Sequence, residues 1–357
     1  MEYSSALIST YFPFLFLFVV LVNLTNGKPI VPALFIFGDS SLDVGNNNNE
    51  PTFVKANFLP YGRDLENHIP TGRFCNGKLT IDYGAEAFGF TSYQPPYLSL
   101  RVKGNNILNG ANFASAGSGY HDSTAKLYRA ISMSKQLEYY MMYQKELMKI
   151  AGQSTALYII SSGVYLVGAG SGDFILNYYI NPLLQKAYTP YQFSDILVQR
   201  YSNFIQSLYA AGARKIGVPT LTAIGCFPIT ITLFGFHSNN ECVVKINNVA
   251  IYFNQQLNST SENLRKILPQ LDLTLLDSYE PLYNMANKPL EYGFFEARKA
   301  CCGTGLLETS VFCNPKSIGT CVDASKYVFW DSVHPTGAAN KVLAAKLISD
   351  ILPIIYK

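Results

Sequence analysis

Apolar residues along this chain come in two patterns: short uninterrupted runs, and longer stretches in which they recur every few positions. The runs predict buried strands, and the stretches predict helices with one inward face. Ile30 to Phe37 (IVPALFIF) reads as a strand and Ile107 to Ala114 (ILNGANFA) as a second, while Ser134 to Ile150 has helical spacing. Residues 157–170 then state one pattern twice, LYIISSG followed at once by VYLVGAG. Each copy taken alone predicts a buried strand ending in a small-residue turn. Tyr191 to Ala211 is amphipathic and stops at Gly212, Lys215 to Pro219 returns to a strand, and Asn247 to Leu268 is a long helix. Leu273 to Leu276 is a further strand and Thr336 to Ile351 a closing helix. Such alternation defines an α/β fold, a mostly parallel sheet of about five strands with helices on both faces and ligand chemistry at the strands' carboxyl ends. No linker rich in Pro, Gly or Ser divides residues 28–357, which are therefore expected to form a single domain.

The N-terminus does not share that alternation. From Tyr11 to Val22 the chain is almost continuously apolar (YFPFLFLFVVLV), and Thr25-Asn26-Gly27 offers small residues for cleavage. Residues 1–27 therefore read as a secretory signal peptide, the run falling short of the ~20 residues a spanning helix needs. No second apolar segment of spanning length follows, so the expected product is secreted and extracellular.

Composition narrows the class. Of 357 residues, 48% are hydrophobic and 14% charged, enough for a large buried core. The net charge is +3, and no Lys/Arg-rich run gives nucleic acid a footprint. Export changes how the seven cysteines read, because an oxidising compartment favours disulfides over metal sites. Cys226 can pair with Cys242, and Cys301 and Cys302 with Cys313 and Cys321 in either order, leaving Cys75 as the odd thiol. Asn258-Ser259-Thr260 is an N-glycosylation acceptor sequence.

The first strand runs into Gly38-Asp39-Ser40-Ser41-Leu42-Asp43. A serine there sits at the carboxyl edge of the sheet, where it can be a nucleophile or simply cap the next helix. An alcohol needs a base to attack at neutral pH, and Trp330-Asp331-Ser332-Val333-His334 supplies one. An aspartate three residues before a histidine can hold imidazole Nδ1 and leave Nε2 for the serine. His68, His121 and His237 have no acidic residue at that spacing. A metal site built from Ser40, Asp39 and Asp43 lacks ligands, and nothing points to a cofactor.

FIFGDSSLDVGNNN, GANFASAGSG (Gly110 to Gly119), CCGTG (Cys301 to Gly305) and WDSVHPT occur in an order that resembles the plant GDSL esterase/lipase family of the SGNH hydrolases. The resemblance implies a flavodoxin-like three-layer sandwich and a secreted serine esterase acting on small-molecule or lipid carboxylic esters. It makes Ser40 the nucleophile, His334 the base and Asp331 its orienting carboxylate, with the backbone N–H groups of Ser40 and Gly117 as the oxyanion hole. Asp39 and Asp43 read as supports of the turn. A catalytically weak binding protein on the same fold, or an acyltransferase sharing the acyl-enzyme, are the alternatives.

One departure bears on activity. The family's G-x-N-D turn, whose asparagine donates a third hydrogen bond to the oxyanion, is Gly170-Ser171-Gly172-Asp173 here, with Gly172 in the asparagine's place. The doubled segment precedes it. Because seven is odd, the two copies cannot continue as one strand with matching faces. Either the first copy is the core strand and seven residues loop out, or the second is the strand and the first an apolar loop over the sheet. An altered exon boundary or gene-model error is the expected origin of the repeat, since LYII or VYLV outside the sheet is a liability, with a modified acyl pocket as the alternative.

Overall fold

A computed structural model of the chain describes residues 27–99, 104–236 and 241–357, so the segment read as a signal peptide lies, apart from Gly27, outside the described residues. Five strands make one sheet: β1 (Leu34–Gly38), β2 (Gly110–Asn112), β3 (Val164–Gly168), β4 (Lys215–Pro219) and β5 (Asp272–Leu276). Their order is β2-β1-β3-β4-β5 and every pairing is parallel. The helices are α1 (Thr80–Ala87), α2 (Asp122–Tyr128), α3 (Met133–Ala151), α4 (Gln153–Ser162), α5 (Ser171–Ile175), α6 (Pro182–Ala187), α7 (Pro190–Ala210), α8 (Pro228–Phe234), α9 (Val244–Ile267), α10 (Tyr279–Asn287) and α11 (Gly337–Ile355).

Strand residues alternate between two buried faces, which is why the strands read as continuous apolar runs. Phe35, Phe37, Tyr165, Val167, Ile216 and Val218 pack against Tyr140 and Leu147 of α3, Tyr201 and Leu208 of α7 and Phe253 of α9. Leu34 and Val164 face the other way, onto Ala85 of α1 and Ile351 of α11. The result is the expected three-layer arrangement. The first expected strand is shorter than IVPALFIF, beginning only at Leu34. ILNGANFA keeps three strand residues, the preceding Gly104–Asn109 winding into a 3-10 turn.

The doubled segment corrects the sequence reading. Its first copy is neither strand nor loop but the second half of α4. Ala156, Ile159 and Ile160 are buried while Leu157 and Tyr158 face solvent, a helical spacing that a strand of period two cannot satisfy. Gly152, at φ +77°, separates α4 from α3, and Gly163 caps its end. The second copy is β3, paired with β1 on one side and β4 on the other. The Tyr165 hydroxyl in β3 donates to the Ile160 carbonyl of α4 at 2.8 Å, so the copies are successive layers of one helix–strand unit. No residue loops out, and an altered exon boundary is not needed to explain the repeat.

Candidate active site

The turn after β1 is set by close approach of two backbones. Gly38 stands opposite Gly168 of β3, and the Asp39 N–H donates to the Gly168 carbonyl at 3.1 Å. A Cβ at position 38 would lie 1.9 Å from that carbonyl oxygen, so only glycine fits. Asp39 Oδ1 accepts from the Ser41 N–H at 3.0 Å and the Ser41 hydroxyl at 2.8 Å, closing the turn. Burial raises the Asp39 carboxyl above its usual range, against the bonds from Ser41, the nearby His334 and the Gly172 N–H. Ser40 is thereby held half-buried beyond the sheet's carboxyl edge.

His334 and Asp331 arrive from the loop before α11. His334 Nε2 lies 2.7 Å from Ser40 Oγ, and Nδ1 lies 2.7 Å from Asp331 Oδ1. With Nδ1 facing a carboxylate, the partners assign the proton to Nδ1 and leave Nε2 to accept from the serine hydroxyl. Asp331 is fully buried, yet every side of its carboxylate is occupied. Oδ1 accepts from the N–H groups of Val333 at 2.9 Å and His334 at 2.8 Å. Oδ2 accepts from the Tyr61 hydroxyl at 2.7 Å and the Thr309 hydroxyl at 3.1 Å. Burial pushes this carboxyl up, but the facing His334 and these donors outweigh it, and Asp331 titrates below its ordinary value. Burial and the Asp331 charge raise Tyr61 well above its usual value, keeping it a hydroxyl donor.

Tyr61 and Thr309 carry no motif, so the sequence did not expose them. Their only signal is that Thr309 lies between Cys302 and Cys313, which are bridged; Cys301 pairs with Cys321 and Cys226 with Cys242, while Cys75 is buried and free. The bridged segment abuts the site. The Cys301 and Cys302 N–H groups donate to the carbonyls of Phe329 and Trp330 at 2.9 and 2.8 Å, and the Ser310 N–H donates to the Tyr61 hydroxyl at 2.8 Å. Replacing Cys302 and Cys313 together by alanine is expected to cost about 2–4 kcal/mol, the usual worth of a short disulfide loop. Ester hydrolysis is expected to fall with it because Thr309 loses its anchor; denaturant unfolding and initial rates measure the two.

The Gly110 to Gly119 block is tied to the turn by residues that follow Ser40. Asn46 Nδ2 donates to the carbonyls of Asn112 and Ala114 at 2.9 and 2.8 Å, and Asn47 Nδ2 donates to the Ala116 carbonyl at 2.8 Å. Asp43 accepts from the N–H groups of Ala116, Gly45 and Asn46 at 2.9, 2.7 and 2.9 Å. These bonds bring Gly117, at φ +81°, into the same loop cluster. Among the described residues, the backbone N–H groups of Ser40 and Gly117 have no hydrogen-bond partner.

Gly172 has a packing reason of its own. A Cβ there would lie 2.7 Å from the Ser118 carbonyl oxygen, so any side chain must push back the loop holding Gly117. Its neighbour Asp173 is fully buried, accepting from the N–H groups of Tyr120 and His121 at 2.7 and 3.2 Å and from the Thr124 hydroxyl at 2.6 Å. Burial lifts Asp173 from 3.8 to about 7 and Asp43 from 3.8 to about 6, against the bonds each receives. Both bind protons more tightly folded than unfolded, so stability is lost as pH rises through that window. The melting temperature is therefore expected to fall between pH 4.5 and pH 7.5, with a smaller slope in Asp173→Asn. A slope unchanged in Asp173→Asn would contradict the assignment. The depressed Asp331 acts only below 3.8 and leaves this window unchanged.

Ser40 and His334 open onto a narrow, mainly apolar cavity of about 90 Å³, bordered by Leu42, Leu79, Leu221, Phe227 and Leu343. A larger hollow of about 450 Å³ beside Tyr120, Lys126 and Arg200 holds none of Ser40, Asp331 and His334. Asn258 is exposed in the middle of α9, its amide donating to Glu262 at 3.0 Å. No helix of the described residues is long and apolar enough to cross a membrane.

The fold is that of an α/β protein with a five-stranded parallel sheet, and the family of the chain makes it an ester hydrolase. Residues 34–347 match the model of the GDSL-like lipase/acylhydrolase family, to which the chain belongs. A GDSL esterase/lipase of Arabidopsis thaliana is 57% identical over 94% of both chains, and a second from the same plant is 54% identical over 92% of this chain and 94% of its own. The Arabidopsis thaliana GDSL esterase/lipase named APG is 52% identical over 89% of this chain and 90% of its own.

Proposed function

We propose that the chain is a secreted serine esterase that hydrolyses carboxylic esters through an acyl-enzyme on Ser40. The observation that carries this reading is the continuous hydrogen-bond chain from Ser40 Oγ through His334 to Asp331, with both outer bonds at 2.7 Å. His334 Nε2 takes the hydroxyl proton as Ser40 Oγ attacks the ester carbonyl carbon, and the imidazolium is held by the buried Asp331 carboxylate. The tetrahedral oxyanion is met by the N–H groups of Ser40 and Gly117, donors already in place before reaction. His334 returns the proton to the leaving alcohol, and a water activated by the same nitrogen then hydrolyses the acyl-enzyme, releasing the acid. The apolar cavity beside Ser40 receives the acyl or alcohol part of a small-molecule or lipid ester.

Gly172 supplies no side-chain donor, so the oxyanion has two donors where the family's turn gives three. On the scale of single-donor deletions, turnover is lower by roughly 10²–10³ than that of an equivalent site with the asparagine. Residues 1–27 direct secretion, and Asn258, exposed on α9, accepts a glycan. The three disulfides support an oxidising destination.

The test is burst kinetics with p-nitrophenyl butyrate, followed by mass spectrometry of the quenched enzyme. The expected result is one equivalent of p-nitrophenol per chain in the burst and a butyryl group on the peptide containing Ser40. Turnover without acylation at Ser40, or no turnover at all, would sink the reading.

A further inference from the structure

One buried side chain joins the two halves of the site without belonging to any motif. Gln136 of α3 is completely buried, and all of its polar capacity is turned toward the loops around Ser40. Its Oε1 accepts from the Gly38 N–H at 2.9 Å, while its Nε2 donates to the Gly38 carbonyl at 2.9 Å. The same Nε2 lies 3.3 Å from the Ser118 hydroxyl and 3.2 Å from the Ile131 carbonyl. An apolar residue would be expected at a helix position facing the sheet core, because a buried amide is tolerated only when every group on it is matched.

The reason for a glutamine lies in where the sheet ends. The β1–β2 register runs to Ile36 opposite Asn112, and beyond it the chain after β2 bonds the Ile36 and Gly38 carbonyls through the Phe113 and Ser115 N–H groups, leaving the Gly38 N–H without a backbone acceptor. The Gly38 carbonyl still accepts from the Ser115 N–H at 3.0 Å, and Gln136 supplies the acceptor that the Gly38 N–H lacks while adding a second donor to that carbonyl. Two residues further on is Ser40, and the Ser118 that the same Nε2 contacts directly follows Gly117. A single planar group therefore spans the two backbones whose N–H groups are unpartnered.

We propose that Gln136 is a positioning residue for the oxyanion site, fixing the Ser40 and Gly117 N–H groups relative to one another. This rests on the reading of Ser40 as the nucleophile. Gln136 touches no substrate; it acts through the Gly38 and Ser118 contacts. Because a displacement of about an ångström costs roughly 10²-fold in rate, loss of this clamp falls on the transition state rather than on substrate binding.

The experiment compares wild type, Gln136→Met and Ser118→Ala in kcat, KM, melting temperature and the inhibition constant of butylboronic acid, a probe whose adduct with the serine mimics the tetrahedral oxyanion. Gln136→Met, of similar length but without the amide, is expected to lower kcat about 10²-fold with KM within about twofold. The boronate inhibition constant is expected to rise in proportion to the fall in kcat/KM. Ser118→Ala removes only the contact on the Gly117 side and is the variant that keeps the fold; it is expected to lower kcat about tenfold with the same split. A lowered melting temperature with kcat and boronate affinity unchanged in folded Ser118→Ala would overturn the proposal, leaving these residues purely structural. Failure of the underlying reading looks different: the wild type itself would then show no Ser40-dependent burst.

Discussion

Ser40→Ala is expected to lower kcat toward p-nitrophenyl butyrate by at least about 10⁴-fold while leaving the melting temperature nearly unchanged. The rate effect follows because nucleophile and base act as a unit, and removing either forfeits the whole acyl-enzyme route. The stability effect is small because the turn does not depend on the Ser40 side chain. Gly38 is fixed by the close approach of Gly168, and Asp39 by the Ser41 bonds. What residual rate remains comes from the unpartnered N–H groups and the cavity, which the substitution does not touch. Comparing kcat and thermal unfolding of the two proteins checks both halves. A residual rate within tenfold of wild type would mean that another group is the nucleophile.

Deleting Val164 to Gly170 is expected to leave no folded protein. This segment contains β3, the strand at the centre of the sheet, hydrogen-bonded on both edges. Val164, Tyr165 and Val167 are fully buried, and burying each such side chain is worth about 1.5–3 kcal/mol. Losing them, together with both ladders, exceeds the whole stability of a typical domain, about 5–15 kcal/mol. The preceding LYIISSG cannot step in. Its buried positions Ile159 and Ile160, with Ala156 just before it, follow helical spacing, and drawing it into the sheet would unmake α4. Recovery of soluble protein and far-ultraviolet circular dichroism would report the outcome. A folded, active deletion product would restore the idea that one copy is dispensable.

Much of the site was legible in the sequence because its parts are local. A glycine-serine turn after an apolar run, and an aspartate three residues before a histidine at a helix start, each carry their geometry within a few residues. The structure then brought Ser40, His334 and Asp331 within hydrogen-bond distance although the serine and histidine are almost three hundred positions apart. The strand positions were legible for a similar reason. Each run of Phe, Val, Ile and Tyr is buried on both faces of a parallel sheet; Thr336, where the closing helix was expected to begin, is the cap of α11, its hydroxyl accepting from the Ala339 N–H at 3.1 Å.

Other features depended on contacts between segments distant in sequence. LYIISSG and VYLVGAG have nearly the same apolar order, and a seven-residue pattern of that kind satisfies either period. Only the neighbours decided: β1 and β4 leave room for one strand between them, and the first copy docks as a helix against the layer above. The choice between Cys313 and Cys321 as partner of Cys302 was open for the same reason, being set by how the loop folds back on Phe329 and Trp330. Tyr61 and Thr309 on Asp331, Gln136 on Gly38, and the Ser118 carbonyl that keeps position 172 a glycine have no local signature at all. By itself the sequence singled out the candidate reactive residues and the approximate places of the strands and longer helices, because those depend on short-range geometry and period. Tertiary structure decided which of two equivalent segments became the strand and which groups hold the reactive ones in place, because those depend on packing across the sheet.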